Sequence, residues 1–337
     1  MKPTDFAYHM TRFFSQHLPG RKGASKNTIA SYRDSFYLFI IFMSEAKGIK
    51  AEKLQLKDFT QKNVEDFLNW LENDRGCTTS TRNVRLAALH SFFRYMQYEI
   101  PDGLNQWQEI LAISTKKESQ KHMNYVGLDG MKLLLSKPDK STKSGRRDLA
   151  LLSLMYDTGA RVQEIADLTV GMVRLESPAT VKLIGKGAKA RIVPVMDAQV
   201  SILKTYLIEN NLLTPENNLT PLFRNRAGEK LTRAGIGYIL QKYVKMAYEC
   251  DPLLFPIDFS CHCMRHSKAM HLLQSGVNLV YIRDILGHAS IQTTEIYARA
   301  DSEQKRKALE KAHHTIAPDL GAQWQENKDL LGWLKSF

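Results

Sequence analysis

The chain has 337 residues, a length that suits two domains better than one. Hydrophobic residues make up 43% of it, which is enough to build packed cores and excludes a wholly disordered chain. The formal net charge at pH 7 is +12, and this excess predicts a polyanionic partner, nucleic acid before membrane. A basic protein without such a partner is the plain alternative at this stage.

The sequence also indicates the cellular compartment in which the protein is expected. No apolar run approaches the ~20 residues that a membrane-spanning helix needs. The first residues lack the basic and apolar pattern of a signal peptide. Four cysteines are present, and none forms a CxxC pair with another: Cys77, Cys250, Cys261 and Cys263. We therefore expect a cytoplasmic protein with reduced cysteines and no membrane partner.

Helical periodicity dominates the N-terminal part of the chain. Three segments place apolar residues at helical spacing behind a Ser or Thr cap: 25–47, 60–73 and 80–98. An earlier helix is predicted before Arg21. In the last of the three segments, Ser80 is the expected cap, and Val84 is expected to point inward with Phe92. The pattern predicts an all-helical bundle with short loops.

The rest of the chain has a different organisation. A polar segment without periodicity, 114–124, predicts a linker. The segment 179–195 predicts a β-hairpin, with a basic turn at 185–189. Around it, helical periodicity marks the segments 128–136, 147–156, 199–209, 233–248, 266–274 and 279–286, and a charged helix is predicted from Gln304. We therefore expect a mainly α fold with a small antiparallel sheet.

Three short segments carry candidate catalytic residues. They are 158–161 (TGAR), 262–265 (HCMR) and 286–297 (LGHASIQTTEIY), in which a tyrosine follows a histidine by nine residues. Alone, each has an ordinary interpretation, because a core histidine, a core tyrosine or a helix cap produces the same letters.

In order and local spacing, these segments resemble the three signature boxes of the tyrosine recombinase (phage integrase) family. The resemblance covers residues 125–300, and the helical bundle fits the family's N-terminal domain. It implies a core-binding, SAM-like DNA-binding domain over 1–113, a linker over 114–124 and a catalytic domain over 125–310. The two domains are expected to close around duplex DNA. The tail, 311–337, is expected to dock either on its own domain or on a neighbouring protomer.

The resemblance also implies the roles of the box residues. Arg161 and Arg265 match two arginines that bind phosphate, and guanidinium groups present forked donors suited to its non-bridging oxygens. His288 matches a third phosphate donor, and His262 matches the family's acid–base position. Tyr297 matches the nucleophile that attacks DNA phosphate.

Two further residues of this region match supporting positions of the family. Lys186, in the hairpin turn, resembles the general acid that protonates the leaving 5′-oxygen. Lys189 lies in the same turn and is the rival for that role. Glu164 matches an acidic residue that orients an arginine.

The implied reaction cuts and rejoins duplex DNA through a 3′-phosphotyrosyl intermediate, with no cofactor, ATP or metal. The implied partners are double-stranded DNA recombination sites, a tetramer of the chain on DNA that is a monomer when free, and accessory DNA-bending or directionality proteins. The expected role is integration or excision of a mobile element. The alternatives are a Xer-like dimer resolvase, an enzyme related to type IB topoisomerases, and a DNA-binding regulator without catalysis.

The N-terminal bundle offers its own candidate contacts with DNA. The segment 80–89 resembles the family's core-binding helix, and Arg82 and Arg85 are one turn apart. On a polar face they would suit contacts with phosphate or a groove. A solvated face is the alternative.

Two other patterns imitate known sites. A Cys-His-Cys run at 261–263 precedes His266 and His271, as in a metal cluster. Neighbouring helical residues point in different directions, however, and no second ligand pair follows at zinc spacing. The Gly-Lys-Gly of 185–187 lacks the frame of a phosphate-binding P-loop. We therefore predict no metal site.

Overall fold

A computed structural model of the chain describes residues 3–118, 123–300 and 330–335. Contacts between Cα atoms divide the chain into two compact units, Met1–Lys121 and His122–Phe337.

The secondary structure in the described residues of the first unit is entirely helical. Its helices are α1 (Asp5–Arg12), α2 (Lys26–Lys47), α3 (Gln61–Asn73), α4 (Thr79–Glu99) and α5 (Leu104–Leu111). Helix α1 continues as a wider π-helical segment over Phe13–Arg21. The predicted bundle is present, and its caps at Ser25 and Thr60 accept hydrogen bonds from the first turns of α2 and α3.

Phenylalanine rings fill the core of this unit. Phe39 and Phe59 stack with their ring centroids 4.5 Å apart, and Phe92 packs edge-on against Phe36 at 5.3 Å. Aromatic pairs of this kind bury large apolar areas and prefer these geometries. The rings come from α2, α4 and the loop before α3, which are distant in sequence, so the core joins the bundle into one unit.

Helix α4 begins earlier than predicted. Thr78, not Ser80, is its cap, and the Thr78 hydroxyl accepts the backbone N–H of Thr81 at 3.3 Å. The inward position predicted for Val84 is also wrong, because 47% of this residue is exposed. Helix α5 was not predicted, since it is short and starts at Gly103 without a side-chain cap.

The described part of the second unit is mostly helical. Its helices are α6 (Leu128–Ser136), α7 (Lys143–Thr158), α8 (Val162–Ala166), α9 (Asp197–Glu209), α10 (Arg233–Cys250), α11 (Cys261–Gln274), α12 (Leu279–Leu286) and α13 (Gln292–Ala300). Helices α6 and α12 have the predicted bounds. The predictions for α7, α9, α10 and α11 fall inside the observed helices, whereas α8 and α13 were not predicted as helices.

A small antiparallel sheet completes the described part of this unit. Its strands are β1 (Val173–Arg174), β2 (Thr180–Ile184) and β3 (Ala190–Pro194), in the order β1-β2-β3. The predicted hairpin is confirmed as β2 and β3, with Leu183 opposite Arg191. Alternate residues of β2 and β3 enter the core, so the pairing fixes which side chains point towards the site described below.

The end of the chain is described only in part. Leu330–Leu334 forms a short helix, in which Leu331 and Leu334 are exposed. The helix predicted from Gln304 begins outside the described residues. The side chains of Leu330 and Trp333 also lie outside the described part of the structure. None of the helices in the described ranges is long and apolar enough to cross a membrane.

The cap of α4 yields a stability prediction. Thr78→Ala removes the acceptor for the Thr81 N–H and is expected to destabilise the first turn by about 1 kcal/mol. Hydrogen exchange of the full chain then speeds up roughly fivefold at the first amides of α4. Ser80→Ala, at an exposed helical position, is the matched control and should leave exchange unchanged. A larger effect at Ser80 than at Thr78 would contradict this cap assignment.

Candidate active site

A buried guanidinium links two helix ends in the second unit. Arg265, on α11, is 2% exposed. Its Nη1 donates to the carbonyl of Gly159 at 2.7 Å, and its Nη2 donates to the carbonyl of Leu286 at 2.6 Å. These carbonyls lie at the C-terminal ends of α7 and α12, where helices leave acceptors unpaired and favour cations. Arg265 therefore brings the first and third predicted boxes together.

Arg161 follows the end of α7 and lies at the same junction. Gly159 ends the helix with a φ of 57°, a left-handed conformation that glycine adopts readily. After Ala160, the Arg161 Nη2 donates to the Gly287 carbonyl at 3.3 Å. Arg161 and Arg265 thus donate to adjacent carbonyls of one turn, and their predicted role in binding phosphate stays a prediction.

Glu164 is the buried anion of this cluster. Its Oε1 accepts Nη1 of Arg161 at 2.9 Å, and Arg191 of β3 donates to both carboxylate oxygens at 2.9 and 2.7 Å. Burial alone would raise the pKa of the Glu164 carboxyl, but the hydrogen bonds from Arg191 and Arg161 outweigh it and hold the pKa below its ordinary value. Glu164 thus contacts two arginines, and its role in orienting them for catalysis stays a prediction.

Arg191 also binds the end of α12, next to the third box. Its Nε donates to the Ile285 carbonyl at 2.7 Å. Gly287 has a φ of 64°, and a Cβ on it would approach Nη1 of Arg191 to 2.9 Å. Glycine is therefore required at Gly287 both by the turn and by the close passage of the arginine.

Tyr297 lies inside the second unit and is 1% exposed. It belongs to α13, a helix that the sequence did not predict. Its ring stacks at 10° to the ring of His288, with centroids 6.3 Å apart. Nδ1 of His288 lies 2.9 Å from the hydroxyl oxygen of the buried Thr294, which fixes the orientation of the imidazole.

The hydroxyl of Tyr297 has a second histidine as its neighbour. Nδ1 of His266, on α11, lies 3.1 Å from the tyrosine oxygen. His262, one turn earlier, is exposed, and its ring meets the ring of His266 edge-on at a centroid distance of 4.4 Å. The tyrosine therefore has both a histidine contact and a cationic neighbourhood.

Burial and the surrounding charges shift the pKa of four side chains of the site: Arg265, His266, His288 and Tyr297. Burial, followed by Arg161, lowers the pKa of Arg265 to about 10, so this guanidinium is still charged at neutral pH. Burial, followed by nearby charged or histidine side chains, lowers the pKa of His266 and of His288 to about 4. Burial raises the pKa of Tyr297, and Arg265 and Arg161 offset part of this rise. At neutral pH the site therefore holds neutral histidines, charged arginines and a protonated tyrosine.

A cavity of about 560 Å³ opens beside the cluster. Among the residues that line it are Arg161, Lys189, Arg191, Gly287 and His288. Its lining is rich in basic side chains, which include Arg283 as well, and Asp284 is the acidic side chain among them.

The hairpin turn between β2 and β3 adjoins this cavity. The backbone of Lys186 lies in the turn, but its side chain lies outside the described part of the structure. Lys189 lines the cavity. The choice between Lys186 and Lys189 as the acid therefore stays a prediction.

The two arginines of the N-terminal bundle do not lie on a free polar face, and that part of the prediction is wrong. Arg82 is 6% exposed, and its Nη1 donates to the side-chain oxygen of Asn83. Arg85 donates to the Ser31 carbonyl at 3.1 Å and to the Ser35 hydroxyl at 3.2 Å. Both side chains hold the first unit together, and their contact with DNA stays a prediction.

Sequence reasoning missed three contributors to the site. Arg191 had no signal of its own, because its partner Glu164 comes from another element. His266 was considered only as a metal ligand, and Thr294 was not considered. Among the described residues, no group of three or more His, Cys, Asp or Glu side chains is placed to hold a metal ion.

Comparisons with known proteins identify the family of this chain. The model of the phage integrase family matches residues 125–304, and the model of its N-terminal SAM-like domain matches residues 12–99. The chain therefore belongs to the phage integrase family, the tyrosine recombinases that cleave and rejoin DNA.

Individual relatives cover nearly the whole chain. A protein of Sinorhizobium fredii named as a putative integrase/recombinase (y4rC) is 34% identical in an alignment of length 338 that covers 100% of this chain and 99% of that protein. The tyrosine recombinase XerD of Listeria monocytogenes is 32% identical over 304 residues, 89% of this chain and 97% of that protein. A crystal structure of the XerH site-specific recombinase bound to palindromic difH substrate, a post-cleavage complex, matches with a TM-score of 0.65 and 26% identity, covering 90% of this chain and 82% of that chain.

The ion pair of Glu164 and Arg191 yields a prediction for the second unit. Arg191→Ala leaves a buried carboxylate without two of its donors, and we expect a loss of about 3 kcal/mol in the free energy of unfolding at neutral pH. Because the folded-state pKa of Glu164 is lowered, this stabilisation exists above the pKa of the unfolded carboxyl and disappears as the pH falls through the folded one.

Urea unfolding of the full chain at neutral and acidic pH measures the free energy of unfolding. Hydrogen exchange in β2 and β3 is then measured at the same pH values. Lys132→Ala is the control, because its pair with Asp129 is exposed and contributes less than about 1 kcal/mol. Equal losses in the two variants, or a loss for Arg191→Ala that persists unchanged in acid, would contradict the role given to this pair.

Proposed function

We propose that this chain is a site-specific recombinase that cuts and rejoins duplex DNA with Tyr297 as the nucleophile. One observation carries the proposal: the Tyr297 hydroxyl lies in a buried polar centre where α11 also presents Arg265. The same turn that Arg265 and Arg161 hold also carries His288. A nucleophile beside fixed phosphate donors is the arrangement that transesterification of DNA needs.

The proposed first step begins when a phosphodiester enters the basic cavity. Arg161, Arg265 and His288 donate hydrogen bonds to its non-bridging oxygens and stabilise the extra charge of the transition state. The Tyr297 oxygen forms a bond to phosphorus, and the bond from phosphorus to the 5′-oxygen breaks. The product is a 3′-phosphotyrosyl link and a free 5′-hydroxyl.

Proton transfers complete this step. Lys186 is assigned to protonate the leaving 5′-oxygen, with Lys189 as the rival, and His262 is assigned to acid–base chemistry at the phosphate. Rejoining is the reverse reaction with a 5′-hydroxyl from another strand. Because the link to tyrosine keeps the energy of the broken ester, the cycle needs neither ATP nor metal.

The proposed functions of the segments follow the domain boundaries that the sequence predicts. Residues 1–113 are proposed as the core-binding domain and 125–310 as the catalytic domain, joined by 114–124. The tail, 311–337, is proposed to dock on its own domain or on a neighbour. Acting on two recombination sites requires four protomers, so we propose a tetramer on DNA, assisted by accessory proteins that bend DNA or set direction.

The proposed biological role is the integration or excision of a mobile element, acting at the nucleoid in the cytoplasm. Similarity to the Sinorhizobium integrase/recombinase supports it. The similarity to XerD proteins favours a second candidate, the resolution of chromosome or plasmid dimers by the same chemistry. Two assays address these roles: strand exchange between two sites on one plasmid, and strand exchange between separate molecules. Simple relaxation of supercoils produces neither kind of exchange.

Replacement of the nucleophile tests the proposal. The probe is a pool of duplexes with randomised sequence and one nick, which releases a short fragment after cleavage and so traps the covalent complex. Tyr297→Phe should bind this DNA with the affinity of the unaltered protein but form no complex that survives denaturant, because it lacks the attacking oxygen. Chelation of metals with EDTA should leave trapping unchanged.

The matched control is Tyr281→Phe, since Tyr281 is an exposed tyrosine of α12. It should trap DNA as the unaltered protein does. A covalent complex with Tyr297→Phe would assign the nucleophile elsewhere, and a loss of trapping in EDTA would show that the chemistry requires a metal.

A further inference from the structure

The Tyr297 hydroxyl must lose a proton when its oxygen attacks phosphorus. Burial raises the pKa of this tyrosine, so the proton is still bound at neutral pH and a base is needed to accept it. In the described part of the chain, the hydrogen bond of this hydroxyl is made with Nδ1 of His266 at 3.1 Å. That distance is within the range required for direct proton transfer.

We propose that His266 is the general base for Tyr297, a role that rests on the proposed function. In the attack, the tyrosine O–H bond breaks and its proton passes to Nδ1 of His266, while the tyrosine oxygen bonds to phosphorus. His266 becomes an imidazolium. In rejoining, the imidazolium returns the proton to the tyrosine oxygen as the bond to phosphorus breaks.

The position of His266 on α11 favours this role over that of His262. His262 and His266 are one helical turn apart and their rings touch, but it is the ring of His266 that meets the tyrosine, with centroids 5.6 Å apart. His262 is exposed, whereas His266 is partly buried between its helix and α13. His262 is thus on the open side of the pair, where phosphate chemistry takes place.

The protonation state required of a base is consistent with the surroundings. Burial, then His262, then Arg265 lower the pKa of His266 to about 4, so the imidazole is neutral and able to accept at physiological pH. The other groups that face it are Tyr297 of α13 and His288, which follows α12. A bound phosphate carries negative charge into the site and would shift the pKa of His266 upward, towards a more effective base.

A first experiment locates the proton without DNA. The full chain is labelled with ¹⁵N-histidine, and the signals of His266 are assigned by their loss in His266→Gln. At neutral pH the proposal requires an unprotonated Nδ1 and a proton on Nε2, so that the tyrosine donates the hydrogen bond. A proton on Nδ1 would overturn the assignment, because that nitrogen would then donate to the tyrosine and have no free lone pair.

A second experiment measures the rate of covalent trapping against pH, with the nicked duplex that the unaltered protein traps best. His266→Gln keeps a group able to form hydrogen bonds but loses the base. We expect trapping to slow by roughly 10²–10⁴-fold with DNA affinity unchanged, and to speed up with rising pH as hydroxide replaces the base. The unaltered protein should show no such rise across neutral pH. Free imidazole should restore part of the rate of His266→Ala.

His271 supplies the matched control. It lies on the same helix, and its Nδ1 is 2.8 Å from the hydroxyl of Tyr156, a second histidine–tyrosine pair away from the phosphate donors. His271→Gln should leave the rate and its pH dependence unchanged. A rate and pH profile of His266→Gln equal to those of the unaltered protein would overturn the proposal. If the unaltered protein traps no DNA, the proposed function fails, and the position of the proton on His266 is still decided by the ¹⁵N spectrum.

Discussion

The guanidinium of Arg265 is the group on which the site depends. Its two hydrogen bonds join the end of α7 to the end of α12, segments more than a hundred residues apart in the chain. Hydrogen bonds made by a charged group contribute about 1.5–3 kcal/mol each, and a buried guanidinium without acceptors would strongly disfavour folding. Folding of the second unit therefore brings Arg161 and His288 to the same place, since each follows one of the joined ends.

The second constraint is an imbalance of charge. Arg161, Arg191 and Arg265 surround one buried carboxylate, Glu164. The excess positive charge contributes to the low pKa of His288, whose ring stays neutral in the absence of a substrate. In the function proposed above, a phosphodiester supplies negative charge to this site, which would relieve the repulsion and raise the pKa of the histidines beside it.

The features that could be predicted are those determined by residues close together in the sequence. Helix α12 follows from its own periodicity and from Gly287, and the boxes contain their residues within a few positions of one another. Partners chosen by tertiary packing were not predictable: the pairing of Arg191 with Glu164 requires β3 to lie beside α8. For the same reason the burial of Arg82 was not predicted. The contact between His266 and Tyr297 was not predictable either, because it depends on the packing of α13.

We propose that the oxygen of Tyr297 becomes bonded to DNA in the site built around Arg265. Mass spectrometry of the trapped complex, after digestion of both protein and DNA, tests it most directly. We expect a peptide containing Tyr297 with a nucleotide attached through its 3′-phosphate. A nucleotide on any other residue, or one attached through its 5′-phosphate, would contradict it.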